Sequence, residues 1–246
     1  MNYRDYVQSF HGLYLSARGA KEPQLPELLD ATREKLKRIL ILAPHPDDEC
    51  LMAGLAIRAK REWGTDVYVL PFSYGSSPDR QAERKRELSH ALDSLQFTLI
   101  DPRAPHFQEL ESAGILEALQ SIKPDALILP HDRDGHGTHI RCALAGKRAA
   151  EAYVQQSKSS LTLFESEYWM AMEKPDCLVP LSSEDLIQMG EALLQHKGEV
   201  SRNPFHLSLP AFAMEQMRRG SEAVSGMGSK PRDFVFAQLY RKIKVS

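Results

Sequence analysis

The run Arg38-Ile39-Leu40-Ile41-Leu42-Ala43-Pro44-His45-Pro46-Asp47-Asp48-Glu49-Cys50 restricts the fold more than any other stretch of the chain. Residues 39–43 are short, apolar and unbroken, the pattern of a strand buried on both faces of a parallel sheet. The run stops at Pro-His-Pro and three consecutive acids. Residues 51–61 then carry one apolar face with basic residues late, as a helix would. Strand, polar turn and helix in that order predict an α/β fold: a Rossmann-like, mostly parallel sheet flanked by helices. In such sheets ligands bind just outside the carboxyl ends of the strands, so His45, Asp47 and Asp48 stand where a site is expected. Pro46 also keeps His45 extended rather than helical.

An imidazole and a carboxylate flanking a tight turn can face one cation, half of a divalent-metal site. If Asp48 binds the metal, Asp47 remains a free carboxylate able to take a proton from the attacking water. The plainer reading makes both aspartates helix caps that favour the helix dipole, with His45 a polar strand end. A second cluster decides between them. Residues 125–130 repeat the buried-strand pattern and lead into His131-Asp132-Arg133-Asp134-Gly135-His136-Gly137-Thr138-His139. Residues 140–156 then read as a helix with Thr138 as its N-cap. His136 and His139 face the same way as that helix begins. Three histidines and two aspartates in nine residues, at a second strand end, predict a metal site at the carboxyl edge of the sheet.

Elsewhere the patterns are coarser. Residues 1–37 form an N-terminal extension, with a short amphipathic helix expected over 28–36. Further strands are expected at 66–72, 97–100, 161–169 and 233–240, and helices at 79–95, 108–122 and from 182 to about 196. Loops 73–80, 101–107 and 170–180 are expected to rim the site. His196 and His206 stand alone and read as surface residues or as supports behind the ligands. No repeat or linker divides the chain, so its 246 residues are expected to form a single domain, 1–246, with residues 38–156 as the motif-bearing core.

Composition removes several classes. With 31 basic against 33 acidic residues there is no electrostatic case for nucleic acid or an anionic membrane. No apolar run reaches the length of a membrane span, and Met1 to Asp5 lack the apolar core of a signal peptide. Cys50, Cys142 and Cys177 include no Cys-x-x-Cys pair, which fits a reducing cytoplasm. Cys50 and Cys142, close in sequence to candidate ligands, read as small buried helix residues first and as ligands second. No G-x-G-x-x-G follows the first strand, which argues against dinucleotide binding. Homo-oligomerisation is compatible with the sequence but no pattern encodes it.

Ala43-Pro44-His45-Pro46-Asp47-Asp48-Glu49 resembles the A-H-P-D-D-E signature of the PIG-L/LmbE-like de-N-acetylases, with one residue inserted between Ala and His. His136-Gly137-Thr138-His139 matches part of that family's H-P-D-H motif, and Arg84-Lys85-Arg86-Glu87-Leu88 resembles its R-x-x-E-L helix. The resemblance implies a Zn2+ enzyme that deacetylates an N-acylated amino sugar or glycoconjugate. It implies His45, Asp48 and His139 as zinc ligands and Asp47 as general base. His136 would stabilise the oxyanion or protonate the leaving amine, and Arg84 would contact substrate. Thr138 departs from the family, which usually has aspartate there; Asp132 and Asp134 are the candidates to replace it, a choice that the sequence leaves open.

The chemistry agrees with these parts. Amide hydrolysis needs a nucleophile at neutral pH, and zinc lowers the pKa of bound water to about 7. It also needs stabilisation of the tetrahedral oxyanion and a proton for the amine. Two alternatives stand beside it. Two histidines and a carboxylate also make the facial triad of non-haem iron(II) oxygenases, where Asp47 would have no task. A catalytically silent metal-binding member of the fold is the other, and retention of the base argues against it.

Overall fold

Alternation along the first strand builds the middle layer of the molecule. In β1 (Arg38–Ala43), Ile39, Ile41 and Ala43 belong to the core on one face of the sheet and Leu40 and Leu42 to the core on the other. All five are fully buried, and each Ile or Leu contributes roughly 2 kcal/mol of burial. This computed structural model describes residues 1–101, 109–229 and 232–246.

β1, β2 (Asp66–Pro71), β3 (Thr98–Leu99), β4 (Ala126–Pro130) and β5 (Leu161–Ser166) pair in parallel. β7 (Phe236–Val245) runs antiparallel between β5 and β6 (Cys177–Leu181). Among the described residues the sheet order is β3-β2-β1-β4-β5-β7-β6. The chain winds one way from β1 to β3 and the other way from β4 to β5. The reversal lies between β1 and β4, and it opens a crevice at their carboxyl ends. His45 leaves β1 there, and His136 and His139 follow β4 at the same edge.

Helices cover both faces. On one side α1 (Tyr3–Arg18), α4 (Gly54–Trp63), α5 (Pro78–Leu95) and α8 (Ser183–Leu193) share a core with Ile39, Ile41, Val69 and Ile128. On the other, α6 (Ser112–Ile122) and α7 (Gly137–Ser157) pack on Leu40, Leu42, Leu127 and Leu129. Gly146 lets α7 lie close to the sheet, since a Cβ there would meet Leu42 at 2.9 Å and Leu129 at 3.1 Å. That approach fixes the start of α7, which carries His139. The remaining helices are short α2 (Leu28–Thr32), α3 (Asp48–Leu51) and α9 (Lys197–Val200), and long α10 (Phe205–Ser225), whose Met217 shares a third core with Leu178 and Leu239. No helix among the described residues is long and apolar enough to cross a membrane.

Several expected boundaries move. α2 stops at Thr32, because Arg33 turns left-handed with φ 67°. His136, rather than Thr138, is the N-cap of α7. The strand expected from 233 starts at Phe236 and runs to Val245, and α1, β6 and α10 add to the expected elements. Of the helix expected over 108–122, Ser112–Ile122 is helical; Gln108 lies outside the described residues, as does the expected rim loop from 102 to 107.

Candidate active site

The turn after β1 is held in a conformation that few side chains adopt. Asp47 has φ 118° and ψ −33°, a backbone state that costs on the order of 1–3 kcal/mol outside glycine. Neighbouring bonds hold it in place. The Asp47 N–H donates to Glu49 Oε2 (2.8 Å), the His45 N–H donates to Asp48 Oδ2 (2.9 Å), and the Cys50 N–H donates to the Asp47 carbonyl (3.1 Å). Glu49 is itself locked by His196, whose Nε2 lies 2.6 Å from Glu49 Oε1. The Asp47 carboxylate makes no capping bond to α3, so helix capping does not explain its presence.

Asp48 turns back toward the strand end. Its Oδ2 lies 3.2 Å from His45 Nδ1 and 3.3 Å from His139 Nε2. His45, His136 and His139 each offer a ring nitrogen, and these three atoms lie within 4.8 Å of one another. Asp134 Oδ1 sits 3.5 Å from His139 Nδ1 and accepts the His136 N–H at 2.9 Å. A carboxylate oxygen between two imidazoles, with a carboxylate behind one ring, is a donor set that suits a divalent first-row metal. His45, Asp48 and His139 therefore fit the ion expected from the sequence, and His136 offers a nitrogen to the same space. His131 is occupied elsewhere: its ring donates to the Met170 carbonyl at 2.9 Å. Asp132 pairs with Lys147 at 2.6 Å.

The same packing separates the ionisation of these groups. Burial, with the charges of Asp48 and Glu49, pushes the Asp47 carboxyl well above the usual range, while Arg84 opposes that rise from 3.8 Å. Burial would also raise Asp48, but His139 and His45 outweigh it and hold it low. Burial would lower His139; Asp48 and Asp134 prevail and lift it to about 10. His136 goes the other way, lowered by burial and by the charges of His139 and His45. Asp47 and His136, shifted in opposite directions, both line the same cleft.

These groups line a cleft with two lobes. The smaller, about 280 Å³, has Asp47, Asp48, His139, Tyr168, Trp169 and Phe205 in its walls. The larger, about 470 Å³, is walled by residues 73–77, Arg80, Glu109, Thr138 and Arg141. His45, Arg84, His136 and Arg202 border both. The loop after β2 rims the site as expected, whereas 170–180 supplies no lining residue and ends in β6. His196, expected at the surface or behind the ligands, is 1 % exposed and takes the supporting position through Glu49. Tyr168, Glu199, Arg202 and Phe205 reach the cleft without any local sequence signal. Cys50 and Cys142 are buried helix residues, and all three cysteines are free.

Residues 40–150 match the family described as PIG-L, GlcNAc-PI de-N-acetylase. Nothing among the curated proteins matches the chain. Among solved structures, the N,N'-diacetylchitobiose deacetylase of Pyrococcus horikoshii superposes with a TM-score of 0.63 at 16% identity, over 96% of this chain and 92% of that one. A 4-carboxy-2-hydroxymuconate hydratase from Pseudomonas putida gives 0.62 at 17%, over 84% and 96%. The zinc-inhibited form of a teicoplanin deacetylase gives 0.57 at 15%, over 84% and 98%. At these identities the superpositions establish a shared fold.

Proposed function

Proceeding from residues 40–150 as a domain of the PIG-L family, we propose that the protein is a metal-dependent amidohydrolase that removes an N-acetyl or other N-acyl group from an amino sugar or its conjugate. One observation carries the reading: Asp48 Oδ2 stands within 3.3 Å of ring nitrogens of both His45 and His139, while Asp47 beside it is left without a ligand's task. Zinc at His45, Asp48 and His139 would supply the Lewis acidity that makes water nucleophilic at neutral pH.

The chain's own groups do the rest. Asp47 takes a proton as water adds to the amide carbonyl, the task open to a carboxylate beside the ligand set but outside it. His136, kept neutral by its lowered pKa, donates a hydrogen bond to the oxygen that gains charge. The C–N bond then breaks, and the proton held by Asp47 leaves on the amine. Arg84 lies 3.8 Å from Asp47 and 3.9 Å from Glu199, and donates to the Pro46 carbonyl at 3.2 Å, so it steadies the base as well as bordering the substrate space. The rings of Tyr168, Trp169 and Phe205 form an aromatic wall against which a sugar face can pack. Free buried cysteines accord with a cytoplasmic setting for this reaction.

The test is acetate release from a panel of N-acetylated amino sugars, with and without chelator, for the wild type and Asp47→Asn. Asp47→Asn keeps its metal and loses roughly 10²–10⁴-fold in turnover. Near wild-type turnover in that variant would remove Asp47 from the mechanism. A second reading rests on the hydratase comparison at TM-score 0.62: the same base and acid could add water to a conjugated double bond. Loss of ultraviolet absorbance from a conjugated unsaturated tricarboxylic acid, with no acetate from any sugar, would favour it.

A further inference from the structure

The family match begins at residue 40, so α1 lies outside it. Val7, His11 and Leu15 are the buried stripe of this helix, and Tyr3, Tyr6 and Phe10 flank them one turn apart. The face they make packs on α8 and on the start of α10. Tyr3 is seated over Gly190 of α8, where any Cβ would overlap the Tyr3 ring. The same ring lies against His206 of α10, with centroids 5.9 Å apart. Tyr3 Oη and His206 Nδ1 have no hydrogen-bond partner among the described residues, so that contact is one of shape. The polar tie comes from Tyr6, whose hydroxyl donates to the Leu207 carbonyl at 2.6 Å.

The first turn of α10 is weak by its own sequence. Its N-cap is Pro204, which makes no side-chain capping bond, and Pro210 has no N–H to offer the His206 carbonyl. Phe205 stands in that turn, lines the smaller lobe of the cleft, and meets Tyr168 edge-on at 5.5 Å and Trp169 at 5.9 Å. We propose that α1 braces this aromatic wall, with Tyr6 a positioning residue that acts through Leu207 on Phe205. The candidate base and metal ligands come from the turns after β1 and β4, on other elements. Loosening the brace therefore disturbs where a sugar packs and leaves the reacting groups in place, a change in KM rather than kcat. The effect on substrate rests on the deacetylase reading; the hold of α1 on the wall does not.

Two readouts separate the two. The chain has two tryptophans, so a Trp63→Phe background leaves Trp169 as the reporter of the wall. Tyr6→Phe removes the hydroxyl and keeps the ring. In the full-length, metal-loaded protein it should raise acrylamide quenching of Trp169 and shift its emission to the red. On N-acetylglucosamine and its methyl glycoside, acetate release should show KM raised about threefold to tenfold, the range for one lost hydrogen bond, with kcat unchanged. Leu15→Ala loosens the far end of the same helix, and it should lower Tm while leaving quenching and KM as in wild type. Unchanged quenching in Tyr6→Phe, or an equal rise in Leu15→Ala, would overturn the brace whatever the acetate result. Raised quenching with KM unchanged would overturn the effect on substrate. Raised quenching with no acetate from either sugar, wild type included, would overturn the deacetylase reading for these sugars and uphold the brace.

Discussion

Glu49 and His196, 147 positions apart, share a 2.6 Å hydrogen bond in which the imidazole Nε2 faces Glu49 Oε1. The other oxygen of Glu49 takes the N–H of Asp47. A buried pair from the far end of the chain thus holds the strained backbone of the proposed base. Glu49→Ala leaves the Asp47 amide and the His196 ring buried without partners, at roughly 1–3 kcal/mol for each unpaired group. The expected result is a loss of about 2–4 kcal/mol in urea unfolding, with kcat falling about 10²-fold as the base is misplaced. Stability within about 0.5 kcal/mol of wild type, the scatter of ordinary surface changes, would show that the pair holds nothing.

The metal set is tested by elemental analysis of single variants. His45→Ala, Asp48→Ala and His139→Ala should each lose most of the bound metal, and His136→Ala should keep it while turnover falls by about 10²-fold or more. The ring nitrogens of His45, His136 and His139 also lie within 4.8 Å of one another, so an all-imidazole set is the competing arrangement. If His136→Ala empties the site and Asp48→Ala does not, that arrangement is the correct one.

Asp134 stands behind His139 at 3.5 Å, the position from which a carboxylate would orient the ring if His139 binds the proposed metal. Asp134→Asn should weaken metal affinity by about 10–100-fold in a competitive titration with a chelating dye. Asp132, paired with Lys147, is the internal comparison, and Asp132→Asn should leave the affinity unchanged. Equal losses in both variants would mean that the loop as a whole, rather than one carboxylate, supports the ring.

Asp132 also gives a pH-dependent stability of known sign. Its bond to Lys147 holds its carboxyl below the usual range despite partial burial. A lowered folded-state pKa contributes stability that is complete above the ordinary carboxylate pKa of about 4 and fades as pH falls through the lowered value. Wild type should exceed Asp132→Asn in unfolding free energy at pH 7, by at most about 1 kcal/mol because solvent screens the pair. The gap should close below about pH 4. A gap that widens on acidification would reverse the assignment.

The strands β1, β2 and β4 were legible because a strand buried on both faces must be apolar at every position, and both metal-type turns follow such runs. The helix α1 was not, because its buried stripe is Val7, His11 and Leu15, with a histidine where an apolar residue would mark the period. β6 carries a proline and α10 has Pro210 in its interior, so neither shows a clean local period. The site divides in the same way. His45, Asp47, Asp48, His136 and His139 sit in two short motifs and come together because β1 and β4 are neighbours. The roles of His196, Glu199 and Arg202 depend on partners across the fold, which no local pattern encodes. Between Asp132 and Asp134 the sequence left the choice open, and the rotation of the loop made it, sending one toward Lys147 and the other toward His139.

β7 lies between β5 and β6 yet follows both in the chain. Among the described residues β6 pairs with β7 alone. During synthesis, therefore, β6 leaves the ribosome with no strand to join and waits while α8, α9 and α10 are made. The parallel half that carries both motif turns can assemble early, whereas the edge beyond β5 closes only when β7 is inserted. The interval exposes the free edges of β5 and β6 together, and that is the stage at which this chain is most open to pairing with another copy of itself.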